Sequence, residues 1–383
     1  MLVGVRHPRP SAPILLFAFA LVVTACGGTS TDDVAAPTTT ADPGGSGTTE
    51  PETDATPDDA TPDDATPDDA TPDDGTQPPG TASASSLEPW SAKPEVEPVG
   101  ETIEGSLVTP DGRTRTYRLY VPASLPADEP VPLLVGLHGG TGWGAQFQRS
   151  SGFDGIAEAN GFLAVFPDGV GVGPTETTRT WNGGICCGPA ARDDVDDVGF
   201  ISLLIDDITA RYDVDPGRVV AAGHSNGGVM SIRLACELSQ QIVAVGFQAA
   251  SMSIDSCDPP APVSMLHLHG EADENVPPQG GKGTKGISGV DWRPAIDGLR
   301  TIATADGCPD EPATVTVPDQ PDLKIERWAP CDDGTVVEYV LVPGANHAWM
   351  GAEAGPLSPS GPPFAGFDSS AAIWAFLAEH PRG

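Results

Sequence analysis

The chain has 383 residues, with 54 Asp and Glu against 19 Lys and Arg, for a formal net charge of −35 and a pI near 4.2. Recognition of nucleic-acid phosphates needs a basic face, so this balance argues against a nucleic-acid-binding protein. The acidic excess is concentrated, because residues 27–98 carry 17 acids and a single base, Lys93. The apolar residues that can build a core therefore lie elsewhere in the chain.

The amino terminus has the features of an export signal. Arg6 and Arg9 precede an apolar run of twelve residues, Ile14–Ala25. A membrane-spanning helix needs about 20 apolar residues, so this run indicates a signal peptide over 1–26. It ends in Val-Thr-Ala-Cys, which resembles a bacterial lipobox and predicts lipidation of Cys26, anchoring the protein at the outer face of the cytoplasmic membrane. The alternative is an ordinary signal peptide and a secreted protein.

Residues 27–98 predict a disordered acidic spacer. They are rich in Thr, Pro and Asp and contain four consecutive Ala-Thr-Pro-Asp-Asp repeats, which begin at Ala55, Ala60, Ala65 and Ala70. A five-residue period with a proline in each copy fits neither a helix nor a strand, and the carboxylates repel one another. Calcium binding by the Asp-Asp pairs is a weaker alternative, because no Gly-bearing loop holds them in place.

After Gly100 the pattern predicts an α/β domain over 99–383. Arg113–Pro122 alternates polar and apolar residues as an exposed edge strand does, whereas Val131–Leu137 and Phe162–Phe166 are continuous apolar runs typical of strands covered on both faces. Strands alternating with helices imply a mostly parallel central sheet with helices on both faces. The further predicted elements, in chain order, are helices over Phe153–Asn160 and Val198–Tyr212, a strand over Arg218–Ala222, a helix over Gly227–Leu238, strands over Ile242–Phe247 and Met265–His269, a helix over Pro294–Ala305, a strand over Val336–Val342 and a helix over Ser370–Leu377.

A candidate nucleophile lies between the strand Arg218–Ala222 and the following helix. Residues 223–227 read Gly-His-Ser-Asn-Gly, a G-x-S-x-G sequence in the strand–turn–helix setting of a nucleophile elbow. The turn is so tight that the two glycines must lack side chains, and it presents the hydroxyl of Ser225. An ordinary Gly/Ser turn is the alternative.

A serine hydroxyl needs a histidine base and a carboxylate that orients the base. Asp273 follows the strand Met265–His269, at the sheet edge where α/β proteins build their sites. His347 follows the strand Val336–Val342, and the chain order Ser, Asp, His is that of the α/β-hydrolases. The competing acids are Glu271 and Glu274. The competing histidines lie in the leader, at the carboxyl terminus, beside the glycine motifs or in the strand before Asp273: they are His7, His380, His138, His224, His267 and His269.

An oxyanion hole needs two backbone N–H groups directed at the developing charge. One donor follows the nucleophile and is the N–H of Asn226. The second is expected in the His-Gly-Gly-Thr turn after the strand Val131–Leu137, where we favour Gly140 and keep Thr141 as the alternative. A plain glycine-rich turn is the other interpretation.

From about Gly100 to Pro381 the chain resembles the secreted α/β-hydrolases of the polyhydroxybutyrate depolymerase-like and feruloyl esterase family, which includes surface lipoproteins. The resemblance implies an α/β-hydrolase fold, esterase activity and a triad of Ser225, Asp273 and His347. Where many family members have Trp-Pro, this chain has Trp349-Met350. The matching segments are Leu-His-Gly-Gly (137–140), Thr-Trp-Asn-Gly-Gly-Ile-Cys-Cys-Gly (180–188), Val-Asp-Asp-Val-Gly-Phe (195–200), Gly-His-Ser-Asn-Gly-Gly (223–228), His-Gly-Glu-Ala-Asp-Glu-Asn-Val-Pro (269–277) and Asn-His-Ala-Trp-Met-Gly (346–351).

Apart from Cys26, the cysteines are even in number, which in an exported chain implies disulfides. A Cys308–Cys331 bond would close a loop of 22 residues and stabilise the fold by roughly 3 kcal/mol. The other four are expected to pair among themselves: Cys186, Cys187, Cys236 and Cys257. We expect no metal, because no His or Cys follows Cys186-Cys187 at ligand spacing.

Three tryptophans fall in loops expected on the catalytic face. Trp143, Trp181 and Trp349 are candidates for stacking on an aromatic acyl group or a sugar, or for packing along a polyester. Alternatively, Trp181 only holds the cysteine loop in place.

The sequence as a whole predicts an exported serine esterase that acts on an ester substrate, possibly polymeric, through an acyl-enzyme. The substrate is a polyhydroxybutyrate-type oligoester or a feruloyl or acetyl ester of a polysaccharide. We expect no cofactor, no nucleic-acid partner, contact with the membrane only through lipidated Cys26, and a monomer. The alternative from another class is a non-catalytic surface protein that uses the same scaffold for binding.

Overall fold

The computed structural model of the protein describes residues 96–173, 176–353 and 360–383. The predicted signal peptide over 1–26, with Cys26, lies outside these residues, and so does all but the last part of the predicted spacer over 27–98. Within the described ranges, no helix is long and apolar enough to cross a membrane.

The described part contains fourteen strands and seven α-helices. The strands are β1 (Glu101–Val108), β2 (Thr114–Val121), β3 (Val131–Leu137), β4 (Leu163–Pro167), β5 (Val170–Val172), β6 (Thr177–Thr180), β7 (Val214–His224), β8 (Ala244–Gln248), β9 (Ser264–Gly270), β10 (Gly281–Lys282), β11 (Asp291–Trp292), β12 (Ala313–Val317), β13 (Gln320–Trp328) and β14 (Val337–Val342). The helices are α1 (Gly144–Ser151), α2 (Phe153–Asn160), α3 (Gly188–Arg192), α4 (Asp197–Thr209), α5 (Asn226–Glu237), α6 (Ala295–Ala305) and α7 (Ser369–Glu379).

Ten strands form one sheet in the order β1-β2-β4-β3-β7-β8-β9-β14-β13-β12. The six central strands, from β4 to β14, run parallel to one another, and the strands at both edges pair antiparallel. This arrangement is the α/β-hydrolase fold and confirms the predicted fold class. It brings the carboxyl ends of β3, β7, β8, β9 and β14 to one edge of the sheet, where the loops that follow them meet.

Helices cover both faces of the sheet and account for the continuous apolar strands. On one face α4, α5 and α6 pack against the sheet through side chains such as Leu204, Met230 and Leu299. On the other face α1, α2 and α7 pack through side chains such as Phe147 and Ile373. Every residue of β4, β8 and β9 is buried, because these strands have a helical layer on each side.

The predicted edge strand is wrong in one respect. Residues 114–121 form β2, which lies second from the edge, because β1 pairs with it and covers its outer side. The sequence signal for β1 is weak, since Glu101–Val108 is mostly exposed or half-buried and includes Gly105. The hairpin of β12 and β13 extends the opposite edge of the sheet.

Three disulfides link the six cysteines of the domain. Cys308 pairs with Cys331 across the hairpin region, and Cys236 at the end of α5 pairs with Cys257. The two neighbouring cysteines Cys186 and Cys187 pair with each other.

The Cys308–Cys331 bond is expected to stabilise the domain by closing a long loop. Its cysteines are 23 positions apart, and loop-closure entropy assigns such a link about 3 kcal/mol. Replacing both cysteines by serine should lower the free energy of unfolding, measured by denaturant titration, by about that amount. An unchanged unfolding midpoint would contradict a stabilising role of this bond.

Candidate active site

Ser225 occupies a strained turn between β7 and α5. Its backbone has φ 54° and ψ −117°, a conformation that non-glycine residues rarely adopt. A Cβ at Gly223 would lie 2.3 Å from the Gly227 carbonyl oxygen, and a Cβ at Gly227 would lie 2.2 Å from the Leu137 carbonyl oxygen. The Ser225 N–H donates to the Gln248 carbonyl oxygen at 2.9 Å. These contacts hold Ser225 at the carboxyl edge of the sheet, partly exposed.

The structure brings together the three side chains that the sequence nominated. His347 Nε2 lies 2.8 Å from Ser225 Oγ, and His347 Nδ1 lies 2.7 Å from Asp273 Oδ2. Asp273 follows β9 and is 4% exposed, and His347 follows β14 and is 5% exposed. The competing acids face the surface instead, where Glu271 pairs with Lys324 and Glu274 with Lys285.

The surroundings of Asp273 keep it ionised. Its Oδ1 accepts the backbone N–H groups of Asn275 and Val276 at 2.8 and 2.9 Å. Burial opposes ionisation, but hydrogen bonds from His269 and His347 outweigh it and hold the pKa of Asp273 below its ordinary value. An ionised Asp273 accepts a hydrogen bond from His347 Nδ1, which leaves Nε2 unprotonated and able to accept the proton of Ser225.

Two backbone N–H groups beside Ser225 are available for a negative oxygen. The Asn226 N–H belongs to the first turn of α5, where N–H groups have no partner within the helix. The Gly140 N–H has no acceptor among the described residues. The prediction of Thr141 as the alternative oxyanion donor is wrong, because its N–H already donates to the Arg179 carbonyl oxygen at 2.8 Å.

Gln248, at the end of β8, is a supporting residue that the sequence analysis missed. Its carbonyl holds Ser225, and its fully buried side chain holds the loop that carries His347. Nε2 of Gln248 donates to the Ala348 carbonyl oxygen at 2.8 Å, and Oε1 accepts the Met350 N–H at 3.1 Å. A glutamine at the end of an otherwise apolar strand was the only available signal, since its partners lie about 100 residues away.

His224 provides a second link between the same two segments. Its Nε2 lies 2.8 Å from the His347 carbonyl oxygen. Desolvation and the neighbouring His347 lower the pKa of His224 to about 4, so at neutral pH the ring is uncharged and donates this hydrogen bond through Nε2–H.

The side chain of Asn226 holds the backbone of Trp181 beside the start of α5. Its Oδ1 accepts the Trp181 N–H at 2.7 Å, and its Nδ2 donates to the Trp181 carbonyl oxygen at 3.0 Å. The segment before Cys186-Cys187 is thereby attached to the start of α5, next to Ser225.

A cleft of about 250 Å3 opens in front of Ser225. Among the described residues that line it, none is Asp, Glu, Lys or Arg, and apart from the His347 imidazole and the Trp292 indole the walls carry hydroxyl, amide and apolar groups. Besides Ser225, His347 and the two N–H donors, the lining residues are Thr141, Thr178, Thr180, Cys187, Gly188, Pro189, Asn275, Val276, Gly286, Ile287, Ser288, Trp292 and Ser360.

For two of the three tryptophans, Trp181 and Trp349, the structure contradicts the predicted role in substrate stacking, because their rings are buried. Trp181 is fully buried, and its indole N–H donates to the His138 carbonyl oxygen. Trp349 is 4% exposed and packs edge-on against Phe147. Trp143 is exposed but is not among the residues that line the cleft. Position in a loop located these residues near the site but did not determine where their rings point.

Trp292, at the end of β11, is the tryptophan that does line the cleft. It was missed because it lies in a polar stretch between Asp273 and α6 that showed no periodic pattern.

Among the described residues, no group of three or more His, Cys, Asp or Glu side chains is arranged to hold a metal ion.

The chain is similar to proteins named as esterases over as much as two thirds of its length. The family model described as "Putative esterase" matches residues 110–274. The chain is 30% identical over 273 residues to "Putative esterase NocK" of Nocardia uniformis subsp. tsuyamanensis, covering 67% of this chain and 77% of that protein. It is 31% identical to feruloyl esterase B of Piromyces equi (59% of this chain, 41% of that one) and 24% identical to the bifunctional acetylxylan esterase/xylanase XynS20E of Neocallimastix patriciarum (63% and 32%).

The protein is thus a carboxylic ester hydrolase. It belongs to the feruloyl esterase-like esterase family, and it spans less than half the length of the second and third of these relatives.

Because the turn around Ser225 is tight, alanine substitutions at two nearby glycines should differ in their effect on stability. Gly227→Ala places a Cβ against the Leu137 carbonyl oxygen and should lower the free energy of unfolding by about 1–3 kcal/mol. Gly140→Ala is the matched control, since its Cβ meets only Asn226 Cβ at 3.6 Å and the unfolding midpoint should not change. Equal effects of the two substitutions would contradict the close approach of α5 to the end of β3.

Proposed function

We propose that Ser225 is the nucleophile of this esterase. Ser225 Oγ attacks the ester carbonyl carbon while His347 Nε2 takes the hydroxyl proton, and the carbonyl electron pair moves onto oxygen. The N–H groups of Gly140 and Asn226 hold that oxyanion, and Asp273 stabilises the protonated His347. The observation that carries the proposal is the pair of contacts at 2.8 and 2.7 Å that join Ser225 to His347 and His347 to Asp273.

The remaining steps need no group outside this site. As the tetrahedral intermediate collapses, the ester C–O bond breaks and the leaving alcohol takes the proton from His347 Nε2. Water then attacks the acyl-Ser225 carbonyl and gives a proton to His347. Collapse releases the carboxylic acid and returns that proton to Ser225 Oγ, which restores the starting state.

The cleft supports a substrate whose reacting part is uncharged. A charged acyl group would lose its hydration against walls that offer no counter-charge. The volume is near the lower end of ligand pockets, which begin at about 300 Å3, so it suits one small acyl or alcohol group. The names of the relatives refer to feruloyl and acetyl groups, and both of these groups are neutral, as are hydroxybutyrate units. We propose esters of this kind as substrates. The proposed setting is outside the cell, reached through the leader over 1–26.

Covalent labelling tests the nucleophile directly. A fluorophosphonate probe should label the wild-type protein, and Ser225→Ala should abolish labelling and lower kcat for ester hydrolysis by about 10^6-fold. Asp273→Asn should keep the fold and lower kcat by about 10^4-fold, because the histidine loses its carboxylate. Ser256→Ala, at an exposed position outside the cleft, is the matched control and should label normally. Persistent labelling of Ser225→Ala would overturn the assignment.

A comparison of neutral and charged acyl groups tests whether the cleft prefers uncharged substrates. We expect kcat/KM for p-nitrophenyl butyrate to exceed that for p-nitrophenyl hemisuccinate by about 10- to 100-fold, the cost of partly desolvating a carboxylate. Added salt separates this effect from long-range repulsion by the acidic chain, because screening relieves only the latter. Equal rates for the two esters at high salt would contradict an uncharged acyl site. The same panel, extended to methyl ferulate, acetylated xylan and polyhydroxybutyrate film, ranks the natural substrates.

A further inference from the structure

Two fully or almost fully buried histidines lie directly behind Asp273. His267 and His269 are 1% and 0% exposed and occupy alternate positions of β9, so they share one face of the sheet. Histidines on a central strand with both faces covered are unusual, and the esterase chemistry proposed above uses neither of them.

The hydrogen bonds determine which nitrogen of His269 carries a proton. Its Nε2 lies 2.9 Å from the Val276 carbonyl oxygen and 3.4 Å from Asp273 Oδ2, and both of these oxygens only accept. Nε2 is therefore protonated. On the other side of the ring, Nδ1 lies 3.0 Å from His267 Nε2, so a neutral His269 accepts a hydrogen bond there.

His267 completes the same assignment. If its Nε2–H donates to His269, its Nδ1 carries no proton, and this atom is buried without a hydrogen-bond partner. The opposite assignment would bury an unpaired N–H, which costs more than an unpaired acceptor. Burial and the neighbouring His269 lower the pKa of His267 well below its ordinary value. The titratable groups that face this pair are Asp273 and Tyr339, whose ring centroid lies 5.2 Å from that of His267.

We propose that His269 is a positioning residue that uses its Nε2–H to hold the Asp273 carboxylate and the Val276 carbonyl in place for His347, and that His267 fixes the tautomer in which it does so. This inference rests on the proposed role of Asp273 in catalysis.

Through its contact with Val276, the His269 ring reaches a second point of the loop that carries Asp273. Asp273 Oδ1 is held by N–H groups of its own loop, so these bonds alone let the loop and its carboxylate move together. His269 belongs to the sheet, and its contacts with Asp273 Oδ2 and with the Val276 carbonyl attach that loop to β9. Val276 also lines the cleft, so the same contacts hold part of the substrate wall.

The first test compares His269→Leu with His269→Gln. The leucine variant lacks the donor, and kcat should fall by about 10- to 100-fold with little change in KM, as when residues that orient metal-ligating side chains are removed. Glutamine supplies a side-chain N–H of similar reach and should restore a large part of kcat. His380→Leu, at a histidine remote from Asp273, is the matched control for loss of a histidine. Equal kcat in wild type and His269→Leu, or no recovery in a folded His269→Gln, would overturn the inference.

The second test measures the tautomers in the wild-type protein, so it does not depend on the folding of a variant. In protein labelled with 15N-histidine, two-bond 1H–15N correlations should show His267 and His269 both as the neutral Nε2–H form. An Nδ1–H form of His269 would contradict the assignment.

Fluorophosphonate labelling distinguishes a wrong nucleophile assignment from a wrong positioning role for His269. If wild type fails to label, the proposed nucleophile is wrong. If wild type labels and His269→Leu labels at the same rate, only the positioning role of His269 is wrong. Slower labelling of His269→Leu supports both.

Discussion

The whole site depends on the backbone of Ser225 at the junction of β7 and α5. Its positive φ is a conformation that costs about 1–3 kcal/mol and persists only where neighbouring contacts enforce it. The bare backbones of Gly223 and Gly227 permit the turn, and the Gln248 carbonyl fixes the Ser225 N–H. Because the Gln248 side chain also holds the His347 loop, one residue at the end of β8 sets the relative position of nucleophile and base.

Charge is distributed so that the chemistry takes place in a neutral cleft of a strongly acidic protein. The chain carries a net charge of −35, yet the described cleft walls have no Asp, Glu, Lys or Arg. The one ionised group of the site, Asp273, lies behind His347 and accepts three hydrogen bonds, from His347 and two backbone N–H groups, and its Oδ2 also lies 3.4 Å from His269 Nε2. Its charge is therefore directed at the imidazole rather than at the substrate, which suits stabilisation of a transient imidazolium.

The sequence was sufficient to predict the features that neighbouring residues in the chain determine. Val131–Leu137 and Phe153–Asn160 were predicted with the bounds that the structure has, because hydrophobic runs and flanking turn residues define them. Ser225, Asp273 and His347 were nominated from the turn chemistry and from positions after strands, and the structure places them within hydrogen-bonding distance. The orientation of Trp181 could not be read in this way, since it depends on packing. The contact of the Gln248 side chain with the Ala348 carbonyl, 100 positions away, leaves no comparable signal, and the contacts of His269 depend on how the loop after β9 folds back on its ring.

The most direct measurement of the central claim is a crystal structure of the protein after reaction with a small alkyl phosphonate ester, whose tetrahedral phosphorus mimics the intermediate. The account predicts phosphorus bonded to Ser225 Oγ, a phosphoryl oxygen within hydrogen-bonding distance of the N–H groups of Gly140 and Asn226, and His347 still paired with Asp273. A phosphoryl oxygen turned away from both N–H groups, or an adduct on another residue, would contradict it.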